Sequence, residues 1–273
     1  MKLSLTIQTP EYSEFVDVAL LTGTFDEKLE KAANFGANGV ELMTVEPSKL
    51  DTNKIKSSLQ KNKLEIAAVS SGAIASVTGL TLLNENPTKA NKAANLLYNL
   101  IDFASAVESP FVTIGGFRGL ASSVGNGANE LLISILHKAS VYAELKGVRL
   151  ALEPLNRYET DIIQNAEEGL RFVNKVQHHA FGLLLDTYHI NIEENSWTEP
   201  FIQVMEAKKL FHVHIGDNNR LPPSCGLIDF NAIVSTLKQI GYNGFLSAEL
   251  LANPNPDFAA EKTLSYLNSL LKF

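Results

Sequence analysis

The chain has 273 residues, of which 45% are apolar, and a formal net charge of −7 at pH 7. This length and composition predict one domain with a large core, because barrels of alternating strands and helices reach this size undivided. The acidic charge disfavours nucleic acid and anionic membranes as partners, since both require a basic surface. The single cysteine, Cys225, excludes an internal disulfide and a cysteine-rich zinc site.

Short β-rich runs alternate with longer helical patterns from the start of the chain to its end, which predicts βαβ units and a parallel sheet. The predicted strands are Leu3–Gln8, Gly39–Thr44, Glu65–Ser71, Phe111–Gly116, Arg149–Pro154, Gly182–Thr187, Leu210–Ile215 and Gly244–Leu250. The predicted helices are Phe25–Phe35, Asn53–Lys61, Lys89–Val107, Asn129–Lys146, Ala166–Val176, Thr198–Ala207, Phe230–Ile240 and Phe258–Leu271. Eight of each predict a single-domain (β/α)₈ TIM barrel over residues 1–273, with its active site at the carboxyl ends of the strands.

Features outside this alternation are few. The chain begins with the strand-like MKLSLTI and has no apolar stretch of membrane length, so we expect a cytoplasmic enzyme that acts on a small molecule. Two loops after predicted strands, Gly72–Glu85 and Gly115–Gly127, are long and rich in glycine. Such loops cover substrates in some barrels and pack as static segments in others, and the sequence leaves both alternatives open.

Four predicted strands end on an ionisable side chain: Glu153, Asp186, His214 and Glu249. Burial of an unpaired charge is costly, so four such residues at one end of a barrel require a shared explanation. Three carboxylates and one imidazole form a hard site for one divalent cation. We expect Mn²⁺ first, with Mg²⁺ or Co²⁺ as alternatives, and Zn²⁺ also fits the ligand types.

Two more ionisable residues lie on predicted strands. His212 and His214 point to the same side of their strand, since side chains alternate along it. His214 is nearer the carboxyl end, so we assign the metal to it and predict a hydrogen-bonded role deeper in the barrel for His212. For Glu41 we favour a buried structural acid over a further carboxylate at the barrel mouth.

Polar residues follow the four ligand candidates closely. His189 and Arg220 are placed to hydrogen-bond a substrate carbonyl and to stabilise an enediolate, and Glu159 adds a carboxylate beside them. Asn156 and Arg157 are expected to brace this loop.

Arg118, in the segment GGFRG, is either exposed or turned toward the metal. In the second case it would bind substrate and favour keto acids over neutral ketoses, because a guanidinium pairs bidentately with a carboxylate.

The segments EPLNRYET, LLLDTYHINIEE, HVHIGDNNR and SAEL resemble those of the xylose-isomerase-like barrels, specifically the ketose 3-epimerase branch that includes D-tagatose and D-psicose 3-epimerases. The resemblance covers the whole barrel. It implies that a metal is bound by Glu153, Asp186, His214 and Glu249. It also implies that substrate is bound by Glu159, His189 and Arg220.

Other segments resemble members of the family that epimerise 5-keto-L-gluconate, namely MKLSLTIQT, SSGAIASVTGLTL, GGFRG and RLPPSCGLIDF. The expected substrate is therefore a ketose or a keto sugar acid. Such relatives usually have PG-x-G after the arginine, whereas this chain has PPSCG at residues 222–226. This difference in sequence is expected to change the shape of the loop that carries Arg220, and with it the fit of the substrate.

The resemblance predicts inversion of the carbon next to the ketone. Glu153 and Glu249 would act as two bases, one removing a proton from that carbon and the other returning one to the opposite face. An aldose–ketose or hydroxypyruvate isomerase is the alternative on the same metal site. A metal-dependent phosphodiesterase and a non-catalytic sugar-binding protein are weaker hypotheses, the first because the charge is acidic. A homo-oligomer is compatible with the sequence.

Overall fold

Eight parallel strands form a closed barrel in which neighbours in the chain are neighbours in the sheet, and the last strand pairs with the first. The protein is described by a computed structural model over residues 1–14 and 16–272. The strands are β1 (Lys2–Gln8), β2 (Gly39–Met43), β3 (Glu65–Ser70), β4 (Phe111–Ile114), β5 (Arg149–Leu152), β6 (Phe181–Asp186), β7 (Leu210–Ile215) and β8 (Phe245–Ala248). The predicted (β/α)₈ barrel is confirmed.

Helices surround this barrel. They are α1 (Phe25–Asn34), α2 (Thr52–Asn62), α3 (Ile74–Thr78), α4 (Pro87–Ala106), α5 (Ala128–Leu145), α6 (Ala166–Val176), α7 (Thr187–Glu193), α8 (Glu199–Glu206), α9 (Phe230–Gln239) and α10 (Pro256–Leu271). Short 3₁₀ turns occur at Pro47–Lys49, Gly116–Arg118 and Ala121–Ser123. Within residues 1–14 and 16–272, no helix combines the length and the apolar character needed to cross a membrane.

Local sequence determines where the main helices begin. At six of them the residue before the helix accepts a backbone N–H with its side chain, which satisfies a donor that the helix itself cannot. These residues are Thr24, Asp51, Asn86, Asn165, Asp229 and Asn255. The strands are almost entirely buried, as expected for a parallel sheet covered by helices. The capped helices and the buried strands together hold the carboxyl ends of the strands in fixed positions.

The structure departs from the predicted elements near the carboxyl ends of the strands. The strands β4, β5 and β8 are shorter than predicted, because the backbone leaves the sheet at the loops that form the mouth. Glu153 N still donates to Ile114 O at 3.0 Å and Glu249 N to Ile215 O at 3.3 Å. These bonds keep both glutamates in register with the barrel.

Two short helices, α3 and α7, were not predicted. The second begins directly after β6, where the Asp186 carboxylate accepts the backbone N–H of Tyr188 at 2.8 Å. This capping bond starts a helix within a segment whose apolar pattern indicates only a strand. Asp186 therefore ends β6 and begins α7, which fixes one of its two oxygens.

The two long loops after β3 and β4 contact each other. Leu82 N donates to Phe117 O at 3.0 Å, and Leu83 N donates to Arg118 O at 2.9 Å. Leu82, Leu83 and Phe117 are fully buried. Of the two alternatives for these loops, the bonds and burial support packed segments around residues 82–83 and 117–119.

Candidate active site

The four predicted metal ligands lie together at the carboxyl end of the barrel, on four consecutive strands. Glu153 follows β5, Asp186 ends β6, His214 lies in β7 and Glu249 follows β8. Parallel pairing sets Asp186 opposite His214 and brings His214 beside Ser247, two residues before Glu249. Small or apolar side chains lie below them, since Ala151 and Leu184 pack together under this layer.

One ligand atom from each of these four residues lies within 4.8 Å of the other three. His214 Nδ1 lies 3.5 Å from Glu153 Oε1 and 3.4 Å from Glu249 Oε2. Among the described residues, the buried atoms Glu153 Oε1, Asp186 Oδ2 and His214 Nδ1 have no hydrogen-bond partner. Buried polar atoms are rarely left unbonded, so their convergence fits a cation bound between them.

The ionisation of the three carboxylates supports the same fit. Burial raises the pKa of Glu153 to about 7 and that of Asp186 to about 6. The protein thus supplies too little positive charge to keep all three ionised in a buried site. Glu249 differs, because the effect of His214 and Arg220 exceeds that of burial and lowers its pKa to about 2. A divalent cation would offset the remaining negative charge.

Arg220 is the cation that lies over this cluster. Its Nη2 donates to Glu249 Oε2 at 2.6 Å and lies 3.8 Å from Asp186 Oδ2, while the guanidinium stacks 4.8 Å from the centre of the Tyr188 ring. Burial lowers the pKa of Arg220, but Glu249 and Asp186 raise it above its ordinary value. The guanidinium stays charged next to any oxyanion formed in the site.

The loop that carries Arg220 retains an ordered base despite its PPSCG segment. Asp217 is fully buried and accepts the backbone N–H groups of Asn218, Gly226 and Ile228 at 2.8, 2.8 and 3.1 Å. Leu227 N also donates to the Asn218 side chain at 2.9 Å. The unusual PPSCG segment therefore lies within a loop whose two ends are both bonded to Asp217. Arg220 lies near the start of this loop.

His189 presents one defined nitrogen to the cavity. Its Nδ1 accepts from Asn156 Nδ2 at 2.8 Å and from Asn156 N at 3.3 Å, and Asn156 Oδ1 accepts from Tyr158 N at 2.9 Å. Because Nδ1 is an acceptor, Nε2 carries the proton; it lies 3.8 Å from Glu153 Oε1. Burial and the neighbouring Arg220 hold the pKa of His189 well below its usual value. His189 is therefore a neutral donor.

A cavity of about 350 Å³ opens over these groups, within the size range of small-molecule sites. Its lining includes every predicted substrate-binding residue except Arg118. Glu159 lies at its edge, where its Oε1 accepts from Asn156 Nδ2 at 2.8 Å and is 3.8 Å from Arg220 Nη1. Asp17 and Val18, from the loop after β1, also line it and were not predicted. No local motif in that loop indicates a site.

Arg118 is the exception among the predicted site residues. It is fully buried, and its guanidinium donates to backbone carbonyls of Gly115 (3.3 Å), Glu153 (2.6 Å), Ile162 (3.2 Å) and Ile163 (3.2 Å). We therefore correct the expectation that Arg118 binds substrate, because these bonds commit the guanidinium to bracing the loops after β4 and β5. The alternative of an exposed arginine is equally wrong.

A larger hollow of about 720 Å³ lies beside the loop after β1 and the starts of α1 and α2. Tyr12, Lys28 and Lys54 contribute to its lining, and none of the predicted metal or substrate residues does. Size alone therefore does not identify the reacting site. The smaller cavity carries the convergent ionisable groups that chemistry requires.

Known proteins share this fold. The family model described as "Xylose isomerase-like TIM barrel" matches residues 29–270. The chain belongs to this family. Its predicted membership is thereby confirmed, and the prediction of an isomerase-class sugar epimerase is confirmed at the level of the family.

Relatives of this xylose isomerase-like barrel include curated epimerases. The L-ribulose 3-epimerase of Methylomonas sp. (strain DH-1) is 30% identical, with 88% of this chain and 82% of that protein covered. The ketose 3-epimerase of Arthrobacter globiformis is 29% identical, with 82% and 78% covered. The crystal structure of D-psicose 3-epimerase with D-tagatose from Clostridium cellulolyticum H10 superposes with a TM-score of 0.79 at 22% identity, covering 99% of each chain. That last likeness shows the shared fold.

Behind the site, one interaction was not predicted. Glu41, on the opposite side of the barrel from β6, contacts both His212 and His214. Burial tends to raise the pKa of Glu41, but the two imidazoles hold it well below its usual range. As predicted, Glu41 is a buried acid that does not line the mouth of the barrel, and His212 is hydrogen-bonded. The alternation of side chains along a strand indicates that Glu41, His212 and His214 point into the barrel, but it does not indicate that they contact one another.

Proposed function

We propose that this protein is a divalent-metal-dependent ketose 3-epimerase that acts by two-base proton transfer through an enediolate. The observation that carries the proposal is the convergence of Glu153, Asp186, His214 and Glu249 under a small-molecule cavity, with unbonded oxygen and nitrogen atoms facing one another. The names of the curated relatives, L-ribulose 3-epimerase and ketose 3-epimerase, support the same reaction.

The metal would be held by Glu153, Asp186, His214 and Glu249, which offer three carboxylates and one imidazole. This hard ligand set suits Mn²⁺, which we propose, or Mg²⁺ or Co²⁺. When bound, such a cation polarises a ketone oxygen and makes the neighbouring C–H more acidic. The remaining steps belong to the side chains of the cavity.

Glu153 and Glu249 are the proposed bases. They project from β5 and β8, which are not adjacent, and both line the cavity. One carboxylate would take the proton from C3, leaving the electron pair shared with the ketone as an enediolate. The other would give a proton to the opposite face of C3, which inverts that carbon. Because the two bases lie on opposite faces of C3, the carboxylate that accepts the proton from one epimer donates it when the other epimer is the substrate.

His189 and Arg220 would stabilise the negative oxygens that form during this transfer. The proton on His189 Nε2 faces the cavity, held there by Asn156. Arg220 keeps its charge beside Glu249 and lines the same cavity. Donors fixed in advance around a buried oxyanion are worth more than the same groups in water. Glu159, at the cavity edge, would bind a substrate hydroxyl.

A neutral ketose is the proposed substrate class. The acidic side chains lining the cavity are Asp17, Glu153, Glu159 and Glu249. Arg220 already pairs with Glu249, and the guanidinium of Arg118, which would have favoured a carboxylate, is bonded to backbone carbonyls. A substrate carboxylate would therefore meet mainly like charge. Ketoses of the psicose, tagatose and ribulose type fit better than 5-keto-L-gluconate.

The test is metal-dependent turnover on a defined panel. Protein stripped with a chelator and reloaded with Mn²⁺, Mg²⁺ or Co²⁺ is given D-psicose, D-tagatose, L-ribulose, 5-keto-L-gluconate, tagaturonate or hydroxypyruvate, and the products are separated by chromatography. We expect C3 epimers of the neutral ketoses, only with metal present. Faster conversion of the keto acids would contradict the substrate class, and an aldose product would indicate an isomerase.

A further inference from the structure

Glu41 lies behind His214, on the side of the imidazole that faces away from the proposed metal ligands. Glu41 lies in β2, is fully buried, and belongs to none of the groups that line the cavity. Its Oε1 and Oε2 lie 3.2 and 3.0 Å from His214 Nε2, and its Oε2 lies 2.8 Å from His212 Nε2. Thr113 Oγ1 donates to Oε1 at 3.3 Å. One carboxylate thus bonds two imidazoles across the barrel.

These contacts determine which nitrogen of His214 is free. An ionised carboxylate only accepts hydrogen bonds, so His214 Nε2 must carry a proton toward Glu41. In a neutral imidazole the lone pair then lies on Nδ1, the atom that faces Glu153 and Glu249 at 3.5 and 3.4 Å. The orientation of the ring is fixed as well, because rotating it would break the bond to Glu41.

We propose that Glu41 is a positioning residue that holds His214 in the Nε2-protonated tautomer and presents Nδ1 to the divalent cation. The inference rests on the proposed function, because it requires that a metal bind at this site. Carboxylates that accept from the far nitrogen of a histidine ligand fix its tautomer and raise its basicity, and their loss typically weakens metal binding by about 10- to 100-fold.

His212 completes the arrangement from below. It is buried and two residues before His214 on β7, and its Nε2 bonds Glu41 Oε2 at 2.8 Å. This bond helps to hold the Glu41 carboxylate within hydrogen-bond distance of His214. Glu41, His212 and His214 also have the composition of a second metal site. Their 2.8 to 3.2 Å separations fit direct hydrogen bonds in which each Nε2 donates its proton to Glu41, and a nitrogen that carries a proton cannot bind an ion.

The variant that tests the proposal is Glu41→Gln, which keeps the size of the side chain and removes its charge. Metal affinity is measured by competition with a chromophoric chelator, using Mn²⁺ and then Zn²⁺, with a thermal melt to establish that the variant is folded. We expect a dissociation constant about 10- to 100-fold higher than that of the wild type. Unchanged affinity in the folded variant would overturn the proposal.

Thr6→Val is the matched control. Thr6 is fully buried on β1, pairs in register with Glu41, and among the described residues its hydroxyl has no hydrogen-bond partner. The substitution changes the polarity of the barrel interior at the same level without altering Glu41. We expect its metal affinity to stay within about 2-fold of the wild type, since no ligand contact is lost. An equal loss in both variants would mean a general effect of the barrel interior and would overturn the specific role.

A second measurement needs no Glu41 variant. In ¹⁵N-labelled wild type loaded with diamagnetic Zn²⁺, two-bond ¹H–¹⁵N correlations report which imidazole nitrogen is protonated, and a His214→Gln spectrum assigns the signals. We expect His214 to show a protonated Nε2 and a metal-bound Nδ1. Coordination through Nε2, or two bound ions per chain, would overturn the inference. A wild type that binds no divalent ion would overturn the proposed function as well.

Discussion

The position of Glu153 depends on the absence of a side chain at residue 115. A Cβ built on Gly115 would lie 2.7 Å from Glu153 Oε2, with its other neighbours at 3.9 Å. In Gly115→Ala the carboxylate must therefore move by roughly 0.7 Å to reach ordinary contact distance. Oε2 is the tip of a flexible side chain, so the fold should accommodate the methyl group while the proposed base is displaced.

The expected loss of activity follows from that displacement. A misplacement of about 1 Å in a catalytic geometry can cost about 100-fold in rate. We expect Gly115→Ala to lower kcat by about 10- to 100-fold. This loss is equivalent to raising the activation free energy by about 1.4 to 2.7 kcal/mol. Metal affinity should fall too, since Glu153 is a proposed ligand, while the thermal melting temperature should change little.

Steady-state epimerisation and chelator competition measure these two quantities. Gly116→Ala is the control for metal affinity, because a Cβ on Gly116 meets nothing within 4 Å. It adds the same methyl group one residue later without touching Glu153, so its metal affinity should match that of the wild type. Wild-type kcat and metal affinity in Gly115→Ala would refute the assignment of Glu153 as ligand and base.

Three further variants test separate parts of the account. His189→Ala should lower kcat/KM at least about 10-fold while elemental analysis finds the metal content unchanged, because its donor faces the oxyanion that forms during proton transfer. Arg118→Met should lower the free energy of unfolding by about 2 to 4 kcal/mol in denaturant titrations, since four buried carbonyls lose their donor. For Asp257, burial is outweighed by the bonds from Lys31 and Thr22, which lower its pKa, so the ionised form stabilises the fold. Asp257→Asn should therefore cost about 1 kcal/mol or less at pH 7, and thermal melts should show the difference shrinking as pH falls below the ordinary aspartate range.

The barrel and the metal cluster could be predicted because their signals are local. Each strand is a short apolar run, and four of these runs end on a side chain that is costly to bury alone, such as Asp186. Alternation along a strand also separates the inward from the outward side chains, which places His214 in the barrel interior. These inferences require no knowledge of how distant segments pack.

The positions of Arg118 and Glu41 could not be predicted for the opposite reason. The partners of Arg118 are carbonyls at residues 115, 153, 162 and 163, and their convergence depends on how two loops fold together. A segment such as GGFRG carries no trace of this. Glu41 likewise meets His212 and His214 across the barrel, 171 and 173 residues away in the chain. The alternation of side chains along a strand shows which of them point into the barrel. It does not show that Glu41 contacts the two histidines, because that contact exists only once the barrel is closed.

The start of α7 shows a third kind of difference. An apolar run followed by Asp186 indicates the end of a strand, and the same carboxylate then caps a helix. A side chain that both ends a strand and caps the next helix is difficult to interpret from sequence, because either role alone is enough to explain why the residue is there. Here the capping oxygen, Oδ1, is bonded to Tyr188 N, and Oδ2 is left for the cluster.

The two-base claim is tested most directly by solvent deuterium exchange at C3, followed by proton NMR on both epimers of a ketose substrate. Mg²⁺-saturated wild type, Glu153→Gln and Glu249→Gln are incubated in D₂O and removed by filtration before the spectra are recorded. We expect the wild type to exchange and interconvert both epimers. Each variant should lose epimerisation and retain exchange with one epimer only, a different one for each variant. Exchange of the same epimer by both variants, or near-native epimerisation by either, would contradict two bases on opposite faces.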